Sequence, residues 1–168
     1  ETAENRNWDP AIGLQNTSLL TGSGRDSVHI SAWADGGQGA LEATGLKGDG
    51  SPKSVLDTGS ENDTVWIDAG ANGWGWGVKS TAIGIDNYEV DLGSGNDGLN
   101  VNVWARGADP TAIGIKDSVV DLGSGDDWAN IRANSNDNRN WDPAIGLQNT
   151  SLLTGSGRDS VHISAWAD

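Results

Sequence analysis

An internal repeat constrains this chain more than any other feature. Residues 5–35 recur letter for letter as residues 138–168, an offset of 133 positions. Inside this long period, a Gly-Ser pair recurs at intervals of 37, 34, 30 and 32 residues, which together span 133. The pairs begin at Gly22, Gly59, Gly93, Gly123 and Gly155. A long unit of four short units, covering 5–137 and restarting at 138, predicts that 1–168 form one repeat domain. We expect this domain to be a window of a longer array.

The segment after each Gly-Ser pair alternates between apolar positions and polar or aromatic positions. In the first copy, Val28, Ile30 and Ala32 occupy one set of alternate positions, and His29 and Trp33 belong to the other. Alternation with a period of two is typical of a β-strand that has one buried face. Two shorter apolar segments precede each pair, and the first contains the motif Ala-(Ile/Thr)-Gly-(Leu/Ile). Its glycine predicts a bend or a close approach of the backbone.

This organisation predicts an all-β fold, a parallel β-solenoid (β-helix) of about five coils. Each coil would contain roughly 33 residues and three short strands, without helical periodicity. Coils stacked about 4.8 Å apart would convert each aligned position into a continuous apolar column. A β-sandwich also contains many short strands, but it does not explain why five copies share the same columns.

Each copy carries a five-residue turn that begins at the Gly-Ser pair and ends in aspartate. The turns cover 22–26, 59–63, 93–97, 123–127 and 155–159. Glycines let main-chain carbonyls point the same way and carboxylates supply charge, which suits a hard cation with about six to eight oxygen ligands. The candidate metal ligands are the aspartates Asp26, Asp63, Asp97, Asp127 and Asp159, with the turn glycines Gly22, Gly59, Gly93, Gly95, Gly123, Gly125 and Gly155.

The turns resemble a known calcium-binding motif over about six residues each. The stretch 92–99, Leu-Gly-Ser-Gly-Asn-Asp-Gly-Leu, resembles half of the nonapeptide of repeats-in-toxin (RTX) proteins. The resemblance implies a parallel β-roll in which Ca²⁺ lies between successive turns, bound by carbonyls and aspartates. The chain departs from that pattern, because serine replaces the second glycine throughout, Glu61 replaces a glycine, and each coil has one such turn. The alternative is that each aspartate accepts hydrogen bonds from its own turn and binds no metal.

The tryptophans form a second candidate surface, for binding or for lateral packing. The chain has nine tryptophans, one tyrosine and no phenylalanine. Alternation places five tryptophans on the outward side of the third strand: Trp33, Trp66, Trp104, Trp128 and Trp166. Trp74 and Trp76 belong to a glycine-rich loop. An exposed row of indoles marks a contact surface. The row would stack on the sugar rings of a polysaccharide or pack against a neighbouring rod, unless loops fold back and cover it.

Charge and composition exclude several functions. Ten Lys and Arg against 24 Asp and Glu give a formal net charge of −14, whereas nucleic acids and anionic membranes attract basic surfaces. No segment approaches the roughly 20 apolar residues that membrane insertion needs. The chain has no cysteine, which removes thiolate chemistry. His29 and His162 share one column, and we predict no acidic partner for them in strand register.

These observations favour a structural protein over an enzyme. A catalytic site needs one specialised set of residues, whereas repeats present the same surface in every copy. We therefore predict no catalytic residues. We expect a structural repeat segment of a long extracellular or cell-surface protein, a calcium-stabilised rod that assembles into filaments, a sheath or an adhesin stalk. Such rods would associate head to tail, and laterally as well. The alternative is a carbohydrate-binding β-solenoid that uses its exposed tryptophans. A polysaccharide-cleaving β-helix enzyme is the third and least favoured class.

Overall fold

The computed structural model describes residues 10–50, 52–136 and 143–168. In these ranges the chain forms fifteen strands and no helix. The boundaries of the long repeat at residues 5 and 138 lie outside the described residues. The strands follow one another as five coils of three.

The first coil contains β1 (Ala11–Gln15), β2 (Leu19–Leu20) and β3 (Ser27–Gly36). The second coil contains β4 (Ala40–Lys47), β5 (Ser54–Asp57) and β6 (Thr64–Gly73). The third coil contains β7 (Lys79–Asp86), β8 (Tyr88–Asp91) and β9 (Gly98–Arg106). The fourth coil contains β10 (Thr111–Lys116), β11 (Val119–Asp121) and β12 (Trp128–Asn136). The fifth coil contains β13 (Ala144–Gln148), β14 (Ser151–Leu153) and β15 (Ser160–Ala167).

Equivalent strands of successive coils form three parallel sheets of five strands each. The first sheet has the order β1-β4-β7-β10-β13, the second β2-β5-β8-β11-β14, and the third β3-β6-β9-β12-β15. The register follows the alignment of the repeats, since Val65 pairs with Val28 on one side and with Leu99 on the other. The prediction of a parallel β-solenoid of about five coils is therefore confirmed.

The core lies between the three sheets and is narrow. Val65, Ile67 and Val101 from the third sheet are fully buried. Ile67 and Val101 lie against the glycine of the Ala-(Ile/Thr)-Gly-(Leu/Ile) motif in the first sheet. A Cβ atom on Gly84 would lie 2.4 Å from Val101 Cγ1 and 2.5 Å from the carbonyl oxygen of Gly114. Only glycine allows the first sheet to approach the third this closely, which confirms the predicted close approach.

The corner between the first and second sheets is made by residues in the left-handed backbone conformation. Asn16, Asn87, Asp117 and Asn149 have φ angles of 51°, 54°, 49° and 48°. Asparagine and aspartate tolerate this conformation better than other residues that carry a side chain. The same corner therefore recurs in four of the five coils.

Candidate functional site

The five-residue turns lie at the corner between the second and third sheets. Their first residue adopts a left-handed conformation that favours glycine, with φ at 84° for Gly93 and 91° for Gly123. The serines that follow form parallel bridges from coil to coil, and the N–H of Ser94 donates to the carbonyl of Gly59 at 3.0 Å. The turns therefore stack as regularly as the strands do.

The last residues of the turns lie in one column, which we call the inner ladder. Its members are Asp26, Asp63, Asp97, Asp127 and Asp159. The backbone N–H of each of the first four members donates to Oδ1 of the member in the next coil, at 2.7 Å from Asp63 to Asp97 and 2.8 Å from Asp97 to Asp127. The bond from Asp26 to Asp63 measures 2.7 Å and the bond from Asp127 to Asp159 3.2 Å. Asp63, Asp97 and Asp127 are buried, so the middle of the inner ladder is inside the rod.

The inner ladder carries carboxylate oxygens that the protein does not satisfy. Within the described residues, Oδ2 of Asp26, Asp63, Asp97 and Asp127 is buried and accepts no hydrogen bond. The pKa of Asp97 is raised from 3.8 to about 6, chiefly by burial and then by the charges of Asp127 and Asp63, against the lowering effect of the hydrogen bond from Asp63. Burial also raises the pKa of Asp127. Ionised carboxylates therefore destabilise this column, and a bound proton or cation would relieve the repulsion.

A second ladder runs through the neighbouring position of the turn, and the sequence reasoning missed it. This outer ladder consists of Asn62, Asn96 and Asp126, whose Oδ1 atoms accept the N–H of the equivalent residue in the next coil at 2.8, 2.8 and 3.0 Å. Its last acceptor, Asp126, also binds the guanidinium of Arg158 at 2.6 Å, which lowers the pKa of Asp126. The sequence does contain a signal for this outer ladder, because the fourth residue of three successive turns has an amide or a carboxyl side chain.

The inner ladder suits calcium in the chemistry of its ligands, but it does not supply enough of them. Unpartnered carboxylate oxygens are the hard ligands that Ca²⁺ prefers. In the described ranges, however, no three His, Cys, Asp or Glu side chains converge on one point. The nearby Asp91 and Asp121 use Oδ1 to accept the N–H of Gly93 and Gly123, each at 3.0 Å. A calcium ion between the turns would therefore need main-chain carbonyls or water as its remaining ligands.

The outward tryptophans do not form a single row. Trp33, Trp104 and Trp166 share one column of the third sheet with Gly70 and Asn134. Trp66 lies in the column of His29, and Trp128 lies in the column of Ser27. Trp33, Trp66, Trp128 and Trp166 are exposed, so loops do not cover them. The sequence placed these side chains on the correct face, but only strand register separates them into columns.

Several of these indoles lie over a glycine of a neighbouring coil. Trp33 and Trp104 meet above Gly70, with ring centroids 5.5 Å apart and planes inclined at 47°. Trp128 covers Gly98 in the same way. A Cβ atom on Gly70 would lie 2.5 Å from the ring of Trp33 and 2.6 Å from that of Trp104. The missing side chain therefore makes the notch in which these rings pack.

A groove lies where the third sheet turns towards the first, and we call it the corner groove. Its volume is about 450 Å³, and its lining includes Asn72, Trp74, Trp76, Arg106 and Asn136. A second depression of about 530 Å³ shares the three polar residues and adds Trp104 and Asn134. The sequence singled out Trp74 and Trp76 but none of the polar residues beside them.

The loop that carries Trp74 and Trp76 is anchored to the preceding coil. The N–H of Trp74 donates to the carbonyl of Gly36 at 3.1 Å, and the indole of Trp74 lies against Gly37. Gly75 contacts Gly37 so closely that a Cβ atom would lie 1.8 Å from the Gly37 carbonyl oxygen. The glycines between the tryptophans therefore hold the loop down, while 74% of Trp74 and 90% of Trp76 are exposed.

The residue in strand register with His29 is Trp66, as expected of a column without an acidic partner, but an acidic side chain reaches His29 from another column. His29 Nε2 lies 2.8 Å from Asp68 Oδ2, and Asn102 Nδ2 donates to Asp68 Oδ1 at 3.0 Å. Asp68 pairs with Ser31 rather than with His29 in the register of the strands, so the contact is diagonal across the sheet. Long side chains reach such diagonal neighbours, which a search restricted to one column cannot find.

Comparisons with known proteins give no information about function, so inferences about function rest on the fold and on the geometry of the site. The chain matches no protein family, no curated protein and no solved structure. Among its described residues there is also no helix with the length and apolar character required to cross a membrane.

Proposed function

We propose that this chain is a structural repeat segment of a long extracellular or cell-surface rod. The observation that carries the proposal is the stacking of five coils in one register, which leaves apolar columns open for a further coil. Val161 and Ile163 are 39% and 43% exposed, whereas Val65 and Ile67, which belong to the same columns, are fully buried in the second coil. Burying exposed apolar surface is favourable, so this end of the rod is a surface on which a further coil would stack.

The sheet edges support the same proposal. Among the described strands, β3 and β15 each pair with one neighbour, whereas β6, β9 and β12 pair with two. A strand with unpaired N–H and C=O groups is a template for another strand. Residues 5–35 and 138–168 have the same sequence, so a head-to-tail contact between chains joins related coils. Such a contact does not close on itself and generates filaments, a sheath or a stalk.

Calcium is a separate part of the proposal. The unpartnered Oδ2 atoms of the inner ladder support it, because they place negative charge inside the rod. A cation between the turns would offset that charge, and the resemblance to the RTX turn suggests Ca²⁺. The assembly of rods does not depend on this part, and each part has its own experiment.

Sedimentation velocity over a range of protein concentrations tests the assembly. We expect oligomers whose mass grows with concentration and whose frictional ratio is that of a rod. Ile163→Lys places a charge in the exposed apolar column and should return the protein to a monomer. His162→Lys adds the same charge on the outward side of the same strand, and its oligomers should persist. A wild-type protein that stays monomeric at every concentration would contradict the proposal.

A further inference from the structure

We infer that the corner groove binds an acidic oligosaccharide, a chain of pyranose rings that carry carboxylates. This site goes beyond the structural role, because a rod needs no ligand groove. The volume of about 450 Å³ lies within the usual range of ligand sites, about 300–1,000 Å³, which combine aromatic surface with a few polar groups. The corner groove has both kinds of group.

The polar side of the groove repeats along the axis of the rod. Asn72, Arg106 and Asn136 occupy one column in three successive coils, so they are spaced about 4.8 Å apart. A ligand that lies along the axis meets an amide, a guanidinium and an amide in turn. This arrangement suits an extended polymer better than a compact molecule.

The aromatic side of the groove suits sugar rings. Trp74 lies with its indole against Gly37, and 74% of its surface remains exposed. Trp76 is 90% exposed on the same loop. Indole faces are large, rigid and apolar, and the C–H faces of pyranose rings are apolar as well, while the asparagine amides both donate to and accept from hydroxyl groups.

Charge selects an acidic sugar over a neutral one. The chain has 24 acidic residues and a net charge of −14, yet none of the described residues that line the corner groove or the second depression is acidic. The side chain of Arg106 makes no ion pair or hydrogen bond within the part of the chain that the structure describes. A guanidinium binds a carboxylate through two parallel hydrogen bonds. The positive charge among the described lining residues is therefore that of Arg106. An acidic residue of the same column, Asp35, accepts the amide of Asn72 at 3.3 Å and lies two coils from Arg106.

Isothermal titration calorimetry with a hexasaccharide of galacturonic acid tests this inference. We expect binding at low salt that weakens about tenfold or more in Arg106→Gln, which removes a charged hydrogen-bonding pair, and in Trp76→Ala. Arg132→Gln and Trp128→Ala are matched controls, since they change the same residue types on the third sheet outside the groove, and they should bind as the wild type does.

Three results would overturn the inference. The first is the absence of binding to the uronate hexasaccharide. The second is equal binding of a neutral glucose hexasaccharide together with no effect of Arg106→Gln, which would indicate a neutral-glycan site. The third is equal binding of polyglutamate, which would indicate a site for acidic peptides. The sedimentation behaviour of Arg106→Gln should match that of the wild type, so failure here is distinguishable from failure of the assembly.

Discussion

Replacing Asp97 by asparagine should make the rod more stable at neutral pH in the absence of calcium. The asparagine carbonyl retains the acceptor for the N–H of Asp63, which lies 2.7 Å from Oδ1 in the wild type. The substitution removes the negative charge from a fully buried position between Asp63 and Asp127. The backbone hydrogen bond is therefore kept while the repulsion within the inner ladder is lost.

The magnitude follows from the pKa of Asp97. A carboxyl whose pKa rises from 3.8 to about 6 on folding destabilises the folded state by at most about 3 kcal/mol when it is ionised. Water around the turn screens part of this cost. The new amide N–H₂ also requires an acceptor, which the neighbouring carboxylates offer. We expect Asp97→Asn to raise the free energy of unfolding by about 1–2 kcal/mol at pH 7.

The pH dependence has a definite sign. Because the pKa of Asp97 is higher in the folded state, the folded chain holds this proton more tightly, and its stabilising contribution is lost as pH rises from 3.8 to about 6. The wild type should therefore gain stability when the pH falls from 7 to 5. Asp97→Asn should gain less, since the asparagine does not titrate.

Urea denaturation followed by circular dichroism, in EDTA at pH 5 and pH 7, measures both effects. Asp126→Asn is the matched control, because Asp126 lies in the turn of the next coil and belongs to the partly exposed outer ladder, where Arg158 lowers its pKa. That variant should be no more stable than the wild type. If Asp97→Asn is less stable than the wild type in EDTA at pH 7, charge repulsion within the inner ladder does not destabilise the folded chain.

Three further predictions concern calcium and the glycines. Millimolar Ca²⁺ should raise the melting temperature of the wild type and EDTA should reverse the rise; indifference to both would count against bound calcium. Gly84→Ala should cost about 1–3 kcal/mol or more by overpacking the core, whereas Gly50→Ala, whose Cβ would contact nothing within 4 Å, should be nearly neutral in the same melt. Gly70→Ala should displace Trp33 and Trp104 and shift the tryptophan emission to longer wavelength; an unchanged spectrum would contradict their packing above the glycine.

The regular part of the fold could be predicted because each coil repeats the same physical requirements. Val65 and Ile67 alternate with polar or aromatic residues, which assigns one face of β6 to the core. The glycine at 84 recurs at the same place in every copy, which indicated a backbone contact that no side chain tolerates. Each of these patterns lies within one short segment of the sequence, and the same pattern recurs in every coil.

The remaining features depend on contacts between coils that the aligned columns do not show. The contact between His29 and Asp68 is diagonal, so it depends on side-chain length as well as register. The corner groove combines Asn72 and Arg106 from successive coils with Trp76 from a loop, and the length of such loops differs from copy to copy. Residue types that differ between copies at one column position leave no repeated pattern in the sequence. These differing residues are nevertheless the ones that form a local site.

The inner ladder gives the rod a chemical direction. In each inner coil the backbone N–H donates to the carboxylate of the next coil, and the carboxylate accepts the N–H of the preceding coil. Asp63, for example, donates to Asp97 and accepts from Asp26. A coil stacked beyond Asp159 must supply a carboxylate, whereas a coil stacked before Asp26 must supply a donor. Two rods that met with like ends would place donor against donor or acid against acid. A filament built from such units is consequently polar, with all its chains running the same way and two ends that a binding partner can tell apart.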